Sequence, residues 1–591
     1  RPTSALTASS NQGTPSDGDF KSALFEVTQG AEGVLWGGLG RLGLESDEDA
    51  FGLTYLYSRT AEDTATLALD TRGKEYFFPG YDPTDPTGIG NTPDTLNAAP
   101  YLRLETLEYT ERWTSTLQLD GEHELDWDVP ELGGLDFKKP ELTWVGSLNT
   151  ADLYQPDKRQ FGALWHASSF NPGFPPFVPP FTTPDTWFPY KPAANFNLGN
   201  FQRIWKEIGE DDQQLSVALA FPFERAEELD GSIELGLFHD DVEREFRQDS
   251  FSNFGDSGAF FEGGFDEPWS ETFPDENHAI TESTFDVDYD GQIELAAAYA
   301  MLSYPLSART DVTGGLRLES TDIGVQNFPD ADAVWFPPDA TAPVDLNPGD
   351  ADVSISEGRA LPALGLEYRP SEAWTLRASY SRTLARQTFK ELSPILQQEF
   401  LGGPIFVGNP ELGLSALDNY DLRADYTPRE GTLLSASWFR KDIDDPIEYV
   451  QRLVGFTFTT PQNYPDGELS GIELEARQAL GNWKPALESL ALGLNATFIE
   501  SQVSLTPEEI AGFSLPEIDA PMENREMTNA PEHLYNAFLT WDLAEHGTQL
   551  ALFYTVQGDT LIAGAGQSSG NFVPSIFATE YGTLNLSFSQ R

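Results

Sequence analysis

The sequence predicts an all-β protein and, within that class, a large antiparallel transmembrane β-barrel. Three observations carry this reading. Apolar and polar residues alternate with period two in many segments, long and short connections take turns, and Tyr and Trp gather near segment ends. A large soluble acidic β-protein from a salty habitat is the rival reading, and the pattern alone leaves it open.

The alternation recurs along the chain. Leu215, Val217, Leu219 and Phe221 oppose Ser216, Ala218 and Ala220, and Ile293, Leu295, Ala297, Tyr299 and Met301 share one face. Leu376, Ala378 and Tyr380 alternate with Arg377, Ser379 and Ser381, and Tyr420, Leu422, Ala424 and Tyr426 with Asp421, Arg423 and Asp425. Ile472, Leu474 and Ala476 oppose Glu473, Glu475 and Arg477, and Leu584, Leu586 and Phe588 close the series. Period two places one side-chain set on each face of a strand, so the apolar face can meet acyl chains and the polar face a wet lumen. Some 17 to 20 strands are visible by this criterion. Helical periodicity is confined to short pieces such as Thr506 to Gly512.

Short turns fall at 305–310, 369–373, 428–431 and 544–547. Long connections fall at 242–284, 321–352, 384–417, 442–466, 503–530 and 558–580. Putting every long loop at one end is the habit of outer-membrane barrels, with short periplasmic turns and long extracellular loops. Towards the N-terminus this parity blurs, and the first six strands are not assigned. Tyr55, Tyr57, Tyr299, Tyr368, Tyr380, Tyr426 and Trp438 suit interfacial girdles.

Composition narrows the function. The 591 residues hold 35 Lys and Arg against 95 Asp and Glu, a formal charge of −60. A phosphate backbone needs a basic face, so nucleic acid is excluded as a general partner. With no Cys there is no disulfide, thiolate metal site or Cys nucleophile. Aromatic residues make up 12%, which argues against wholesale disorder. No run of 18 apolar residues encodes a membrane helix, a criterion blind to barrel strands. The sequence opens at Arg1 without initiator Met or apolar signal segment, as a processed or truncated chain would.

Several stretches together resemble the C-terminal β-barrel of TonB-dependent outer-membrane receptors. They are YDGQIELAAAYAMLSYP from Tyr289, with GGLRLESTDI from Gly314; LPALGLEYRPSEAWTLRASYSRTLARQTFKELSP from Leu361; GNPELGLSALDNYDLRADY from Gly408; GELSGIELEARQAL from Gly467; and APEHLYNAFLTWDL from Ala530. A weaker match is EYTERWTSTLQLDGEHEL from Glu108. The resemblance implies a 22-stranded barrel around an N-terminal plug. Residues 1–17 read as a polar tail or linker remnant and 18–591 as the barrel with long extracellular loops. No plug or TonB-contacting box precedes the first strand, and family members usually continue for about two strands beyond the point matching Arg591. The last strands are therefore expected to be missing.

Motifs for chemistry are weak. Gly38, Gly40 and Gly43 spell G-x-G-x-x-G inside a β segment, without the strand-to-helix setting a dinucleotide needs. Asp286, Asp288, Asp290 and Gly291 mimic an EF-hand start, but its twelfth position is Ala297 and a strand follows. None of the six His has a zinc spacing, and no nucleophile elbow exists, so no enzyme is expected and no catalytic residue is named. No cofactor is expected beyond a possible loop-bound Ca²⁺ at Asp82, Asp85, Asp94; Asp240, Asp241; or Asp330, Asp332, Asp339, Asp345, Asp350, Asp352. Simple solvation is the plainer reading of these acids.

The loops carry the better signal. Residues 170–190, 251–273 and 334–336 are rich in Pro and aromatics. Candidate ligand contacts are Phe181, Trp187, Phe188, Tyr190, Trp269, Trp335 and Phe336. Rigid rings stack on sugars or apolar ligands at low entropy cost, can dock a protein, or can pack on one another and close the barrel mouth. The expected function is the barrel of a receptor that captures a scarce ligand for energised import, a glycan or other organic nutrient more readily than a ferric siderophore. Its partners would be outer-membrane lipid, the TonB system through an unseen plug, and other outer-membrane or surface proteins. The alternative is a plug-less barrel serving as a structural or docking component of a larger outer-membrane complex.

Overall fold

Alternation of this length can satisfy the backbone only by pairing strand to strand. In the structure, a computed structural model, the described residues are 3–7, 21–70, 101–166, 169–171, 179–183, 186–189, 201–225, 229–252, 281–337, 340–398, 405–454, 456–516, 518–568 and 571–590. Seventeen long strands form the wall: β1 (Lys21–Glu45), β2 (Asp49–Asp70), β3 (Tyr101–Glu124), β4 (Glu141–His166), β5 (Phe201–Arg225), β6 (Leu229–Ser252), β7 (Val287–Ser307), β8 (Thr310–Pro329), β9 (Val353–Ser371), β10 (Trp374–Ala385), β11 (Ser415–Arg429), β12 (Thr432–Asp444), β13 (Asp466–Ala479), β14 (Leu490–Ser504), β15 (His533–Leu543), β16 (Thr548–Gln557) and β17 (Tyr581–Gln590). Each pairs antiparallel with the next, from β1 through β17. Five short segments, Thr3–Thr7 among them, extend these ladders into one 22-stranded sheet. Among the described residues no pairing joins β17 to β1.

The short–long parity runs through the whole wall, including the N-terminal part where the sequence pattern blurs. Connections at 46–48 and 226–228 are short, and those at 71–100 and 167–200 are long. The blur has a physical cause. Strands β1 to β6 run 22 to 26 residues, whereas about 10 cross a bilayer. At about 3.3 Å per residue they stand roughly 75–85 Å long, so much of each lies outside lipid and loses its apolar side.

Register sorts the two faces. Ala378, Leu422, Trp438, Ile472 and Phe498 are successive partners across β10 to β14. Leu422 is 52% exposed and Phe498 46%, as on a surface meant for acyl chains. The neighbouring row, Arg377, Arg423, Ser437, Glu473 and Thr497, lies on the opposite face. The start of the segment after β10 folds back against that polar side: Arg386 reaches Glu319 and Thr321 of β8. The polar face is therefore the inner one.

One strand departs from the expected facing. On β7, Ile293 packs into a buried loop cluster, Ala297 is buried, and the Tyr299 hydroxyl donates to Glu234 at 2.8 Å. The Ile293–Leu295–Ala297–Tyr299–Met301 set is thus inner, while Ala298, Ala300 and Leu302 take the outer side with Leu237 and Leu235 of β6. Nearest the mouth, Val287, Tyr289 and Ile293 occupy the inner face because the loops supply them with a core.

Leu422→Arg places a charge on the lipid side between two aromatic levels, Tyr380 against Tyr420 at 5.3 Å and Trp374 against Tyr426 at 4.7 Å. It is expected to cost roughly 2 kcal/mol of wall stability. A lowered urea midpoint for the heat-modifiable band checks this, and an unchanged midpoint would place Leu422 away from lipid.

Candidate functional site: the loop layer at the long-connection end

The described long loops from residue 330 onward fold into a layer with its own cores. One buried cluster joins Phe246, Tyr289, Ile323 and Val353 of the wall to Leu346, Phe389, Leu392, Ile395, Leu412 and Leu414 of the loops. A second gathers Ile443, Tyr464, Val503, Leu505, Phe513, Ile518, Met527 and Ala565. A third holds Phe336, Ile405, Val407, Val454, Phe456 and Phe458.

Local chemistry places each piece. The single-turn helix α1 (Phe389–Leu392) starts at Thr388, whose side chain accepts from the Glu391 N–H while Glu391 accepts from the Thr388 N–H at 2.7 Å, a closed capping box. The Tyr449 hydroxyl donates to the other Glu391 oxygen at 2.7 Å, tying this turn to the 447–463 hairpin. The Phe389 ring lies so close to β7 that a Cβ on Gly291 would meet it at 2.4 Å. Gly291, which completes the EF-hand-like string, is therefore glycine to admit a ring. Helix α2 (Pro507–Phe513) has Thr506 as N-cap and Pro507 in its first turn, matching the Thr506–Gly512 expectation.

A polar network spans the second cluster. The Tyr464 hydroxyl donates to Glu509 at 2.8 Å, and Arg525 lies over the Tyr464 ring at 4.6 Å. The Thr528 N–H donates to Glu448 at 2.6 Å. Burial pushes the Glu448 carboxyl up to about 7 and raises Glu509 as well. Because Glu448 takes up its proton more readily when folded, its contribution is full below the unfolded value near 4.3 and fades as pH rises through about 7. The contact between the 447–463 hairpin and loop 505–532 is thus expected to be firmer at pH 5 than at pH 8, by on the order of 2 kcal/mol. Hydrogen exchange of residues 524–530, corrected for intrinsic rate, checks this. Glu448→Gln should reduce the difference, leaving the smaller part that Glu509 contributes, and a wild-type chain equally protected at both pH values would refute it.

Below this layer an ion-pair belt crosses the inner wall. Arg369 pairs with Asp311 and, at 2.9 Å, with Glu367; Arg377 joins Glu367 at 2.8 Å to Asp425. Arg423 links Asp425 at 2.9 Å to Glu475 at 3.3 Å, and Arg477 ends the chain on Glu475 at 2.6 Å. Most of these groups are half-exposed, so the belt sets a fixed pattern of charge more than it adds stability.

The described aromatic candidates fall on separate elements. Phe181 sits on the Phe181–Thr183 strand paired with Ser169–Asn171 and is 45% exposed. Trp187 and Phe188 lie in Thr186–Pro189, opposite Trp165 and Leu164 of β4. Trp335 pairs with Val344 and is half-buried against the first cluster. Phe336 is 5% exposed, its ring 5.4 Å from Phe456 and 5.1 Å from Phe458, so it serves as core. Tyr190 and Trp269 lie outside the described residues, as do most aromatics of 251–273.

The acidic loop groups that are described are largely engaged as acceptors. Asp350 takes the Asn347 N–H, Asp352 the Asn327 N–H, Asp332 the Thr284 hydroxyl and Asp330 the Asp286 N–H. Asp240 and Asp241 are in β6, while Asp82, Asp85, Asp94 and Asp339 are outside the described residues. Among the described residues no group of three or more His, Asp or Glu is arranged to hold a metal ion. Gly38, Gly40 and Gly43 lie within β1, as the strand reading requires. The residues that organise the layer, Glu319, Arg386, Glu448, Tyr464 and Arg525, stand out in no local motif. Their partners are 45 to 80 residues away.

Among known proteins, a search of curated sequences finds no match. Solved structures with related wall geometry include the ferric-catecholate import receptor Fiu from K12 E. coli, 13% identical with a TM-score of 0.47, covering 96% of this chain and 75% of its own. The FrpB iron transporter from Neisseria meningitidis is 12% identical with a TM-score of 0.46, over 97% of this chain and 74% of its own. The ferric yersiniabactin uptake receptor FyuA from Yersinia pestis is 13% identical with a TM-score of 0.41, over 95% and 72%. The family model described as TonB dependent receptor-like, beta-barrel, matches residues 54–591. With its antiparallel wall, apolar outer face and long loops gathered at one end, the chain belongs to the TonB-dependent receptor family of bacterial outer-membrane β-barrels.

Proposed function

We propose that this chain forms the wall and the capture layer of a receptor that imports a neutral or cationic organic ligand, a glycan foremost, with energy delivered by the TonB system through a plug. The observation that carries the proposal is the loop layer. Three buried clusters hold the described long connections from residue 330 onward over the polar inner face, which supports a capture surface organised before any ligand arrives. The charge of −60 disfavours an anionic ferric chelate and leaves a neutral or cationic ligand unopposed. Exposed rings such as Phe181 provide stacking surface.

Uptake by cells expressing the full-length protein tests this, using a panel of radiolabelled neutral oligosaccharides beside ferric citrate, with and without TonB. The proposal expects TonB-dependent entry of an oligosaccharide. TonB-dependent entry of ferric citrate alone would sink the ligand class, and entry of any panel member without TonB would sink energised import.

A further inference from the structure

On the inner face at the short-connection end, where Arg477 ends the ion-pair belt, lies a cavity of about 750 Å³. We propose that this cavity is a second sugar site, an exit site where a neutral oligosaccharide stacks on the Phe538 ring after it has left the loop layer. The inference rests on the glycan import proposed above and adds a place on the inner wall where the glycan is held.

Shape is the first argument. Leu433, Arg477, Gly493 and Phe538 are successive register partners across β12 to β15. The first three stand four positions from Ser437, Glu473 and Thr497 of the inner row, so this row faces inward too. A Cβ on Gly493 would meet the Phe538 ring at 2.0 Å, so the ring lies down on the wall only because its partner is glycine. The ring is half-buried, with one side on the wall and the other towards the cavity. Beside it the lining is low. Ala479 pairs with Ala491, and a Cβ on Gly431, whose φ is +72°, would meet that of Ala479 at 2.7 Å. A flat ring next to small residues leaves the depth that a sugar ring needs.

Chemistry is the second argument. The charged groups of the lining are Arg429, Arg477, Glu372 and Glu430, two of each sign, so the cavity carries no net charge in a chain of −60. The Arg477 side chain is 62% exposed, and its ion pair is with Glu475 on its own strand. Arg429 makes only long contacts, 3.4 Å to the Thr432 hydroxyl and 3.5 Å to the Asn482 carbonyl. Among the described residues, the side chains of Glu372, Glu430 and Thr427 make no hydrogen bond or ion pair. Guanidinium and carboxylate groups offer paired donors and paired acceptors, which match adjacent hydroxyls, while an aromatic ring takes the C–H side of a sugar. A balanced lining gives an ion no advantage, whereas a polyhydroxyl ligand uses both signs at once.

Initial uptake rates test the site, measured in cells expressing the full-length protein over a range of concentrations of radiolabelled maltohexaose, cellohexaose and xylohexaose. Capture at the loops precedes the exit site, so Phe538→Leu should lower the maximal rate by about fivefold, the scale of one aromatic stack, and leave the half-saturating concentration unchanged. Phe538→Trp keeps a flat ring and should keep the rate. Gly493→Ala displaces the ring without removing it and should act like Phe538→Leu. Heat-modifiable migration confirms that each variant is folded, and Phe538→Leu serves if Gly493→Ala fails. A maximal rate that Phe538→Leu leaves unchanged would overturn the exit site while the glycan reading stands. So would an equal fall in Phe538→Trp, since a ring would then not be what the step needs. Entry of none of the three sugars into wild-type cells would overturn the glycan reading and the site with it.

Discussion

Phe513→Ala is expected to release loop 505–532 from the mouth while leaving the wall intact. Phe513 is fully buried at the end of helix α2 and faces a cluster of Ile443, Tyr464, Val503, Leu505, Ile518, Met527 and Ala565. Its ring sits 6.1 Å from that of Phe572, in the following loop. The helix is only seven residues long, too short to persist on propensity, so its position depends on this anchor and on the Thr506 cap. Removing a buried Phe ring costs about 3–5 kcal/mol, and here the cost is concentrated in one loop. Hydrogen exchange should show residues 505–530 deprotected with β13 to β15 unchanged, and the heat-modifiable band should keep its midpoint. If the loop stays protected, contacts other than the Phe513 cluster hold it.

The sequence and the structure agree where a single strand carries the information. Period-two alternation at 376–381, 420–426 and 472–477 marks real strands with their apolar side outward, because each pattern reports one element against one solvent. The same logic misreads β7, whose apolar face looks inward onto loops distant in sequence. The loop layer is illegible for the same reason. Phe336 and Trp335 read as rings that could meet a ligand, dock a protein or pack on other loops, and the partners that bury Phe336 are Phe456 and Phe458, about 120 residues later. Periodicity cannot announce such contacts. Gly291 shows the converse: a glycine that looks like part of a calcium loop is explained by the Phe389 ring resting on it.

Glu319→Ala is expected to cost the protein about 2–3 kcal/mol, below the full penalty for a buried pair because the two arginine partners keep part of their solvent contact. The Glu319 side chain is 6% exposed, between Arg317 on its own strand at 2.7 Å and Arg386 at the foot of the 386–414 loop. Arg386 also donates to Thr321 at 3.3 Å, so this corner fastens the mouth segment to β8. The two arginines keep different resources once Glu319 is gone. Arg317 still lies over the Phe238 ring at 5.1 Å, whereas Arg386 keeps only the neutral Thr321 hydroxyl among these contacts. Most of the penalty should therefore fall on Arg386, and Glu319→Leu combined with Arg386→Met should recover much of the loss. Chemical unfolding in detergent, run as a double-mutant cycle, reads this directly as a coupling of more than about 1 kcal/mol. Additive effects would mean that the pair does not act as a unit. Recovered stability with lost uptake would mean that the charge at this corner serves the movement of the loop instead of the standing of the wall.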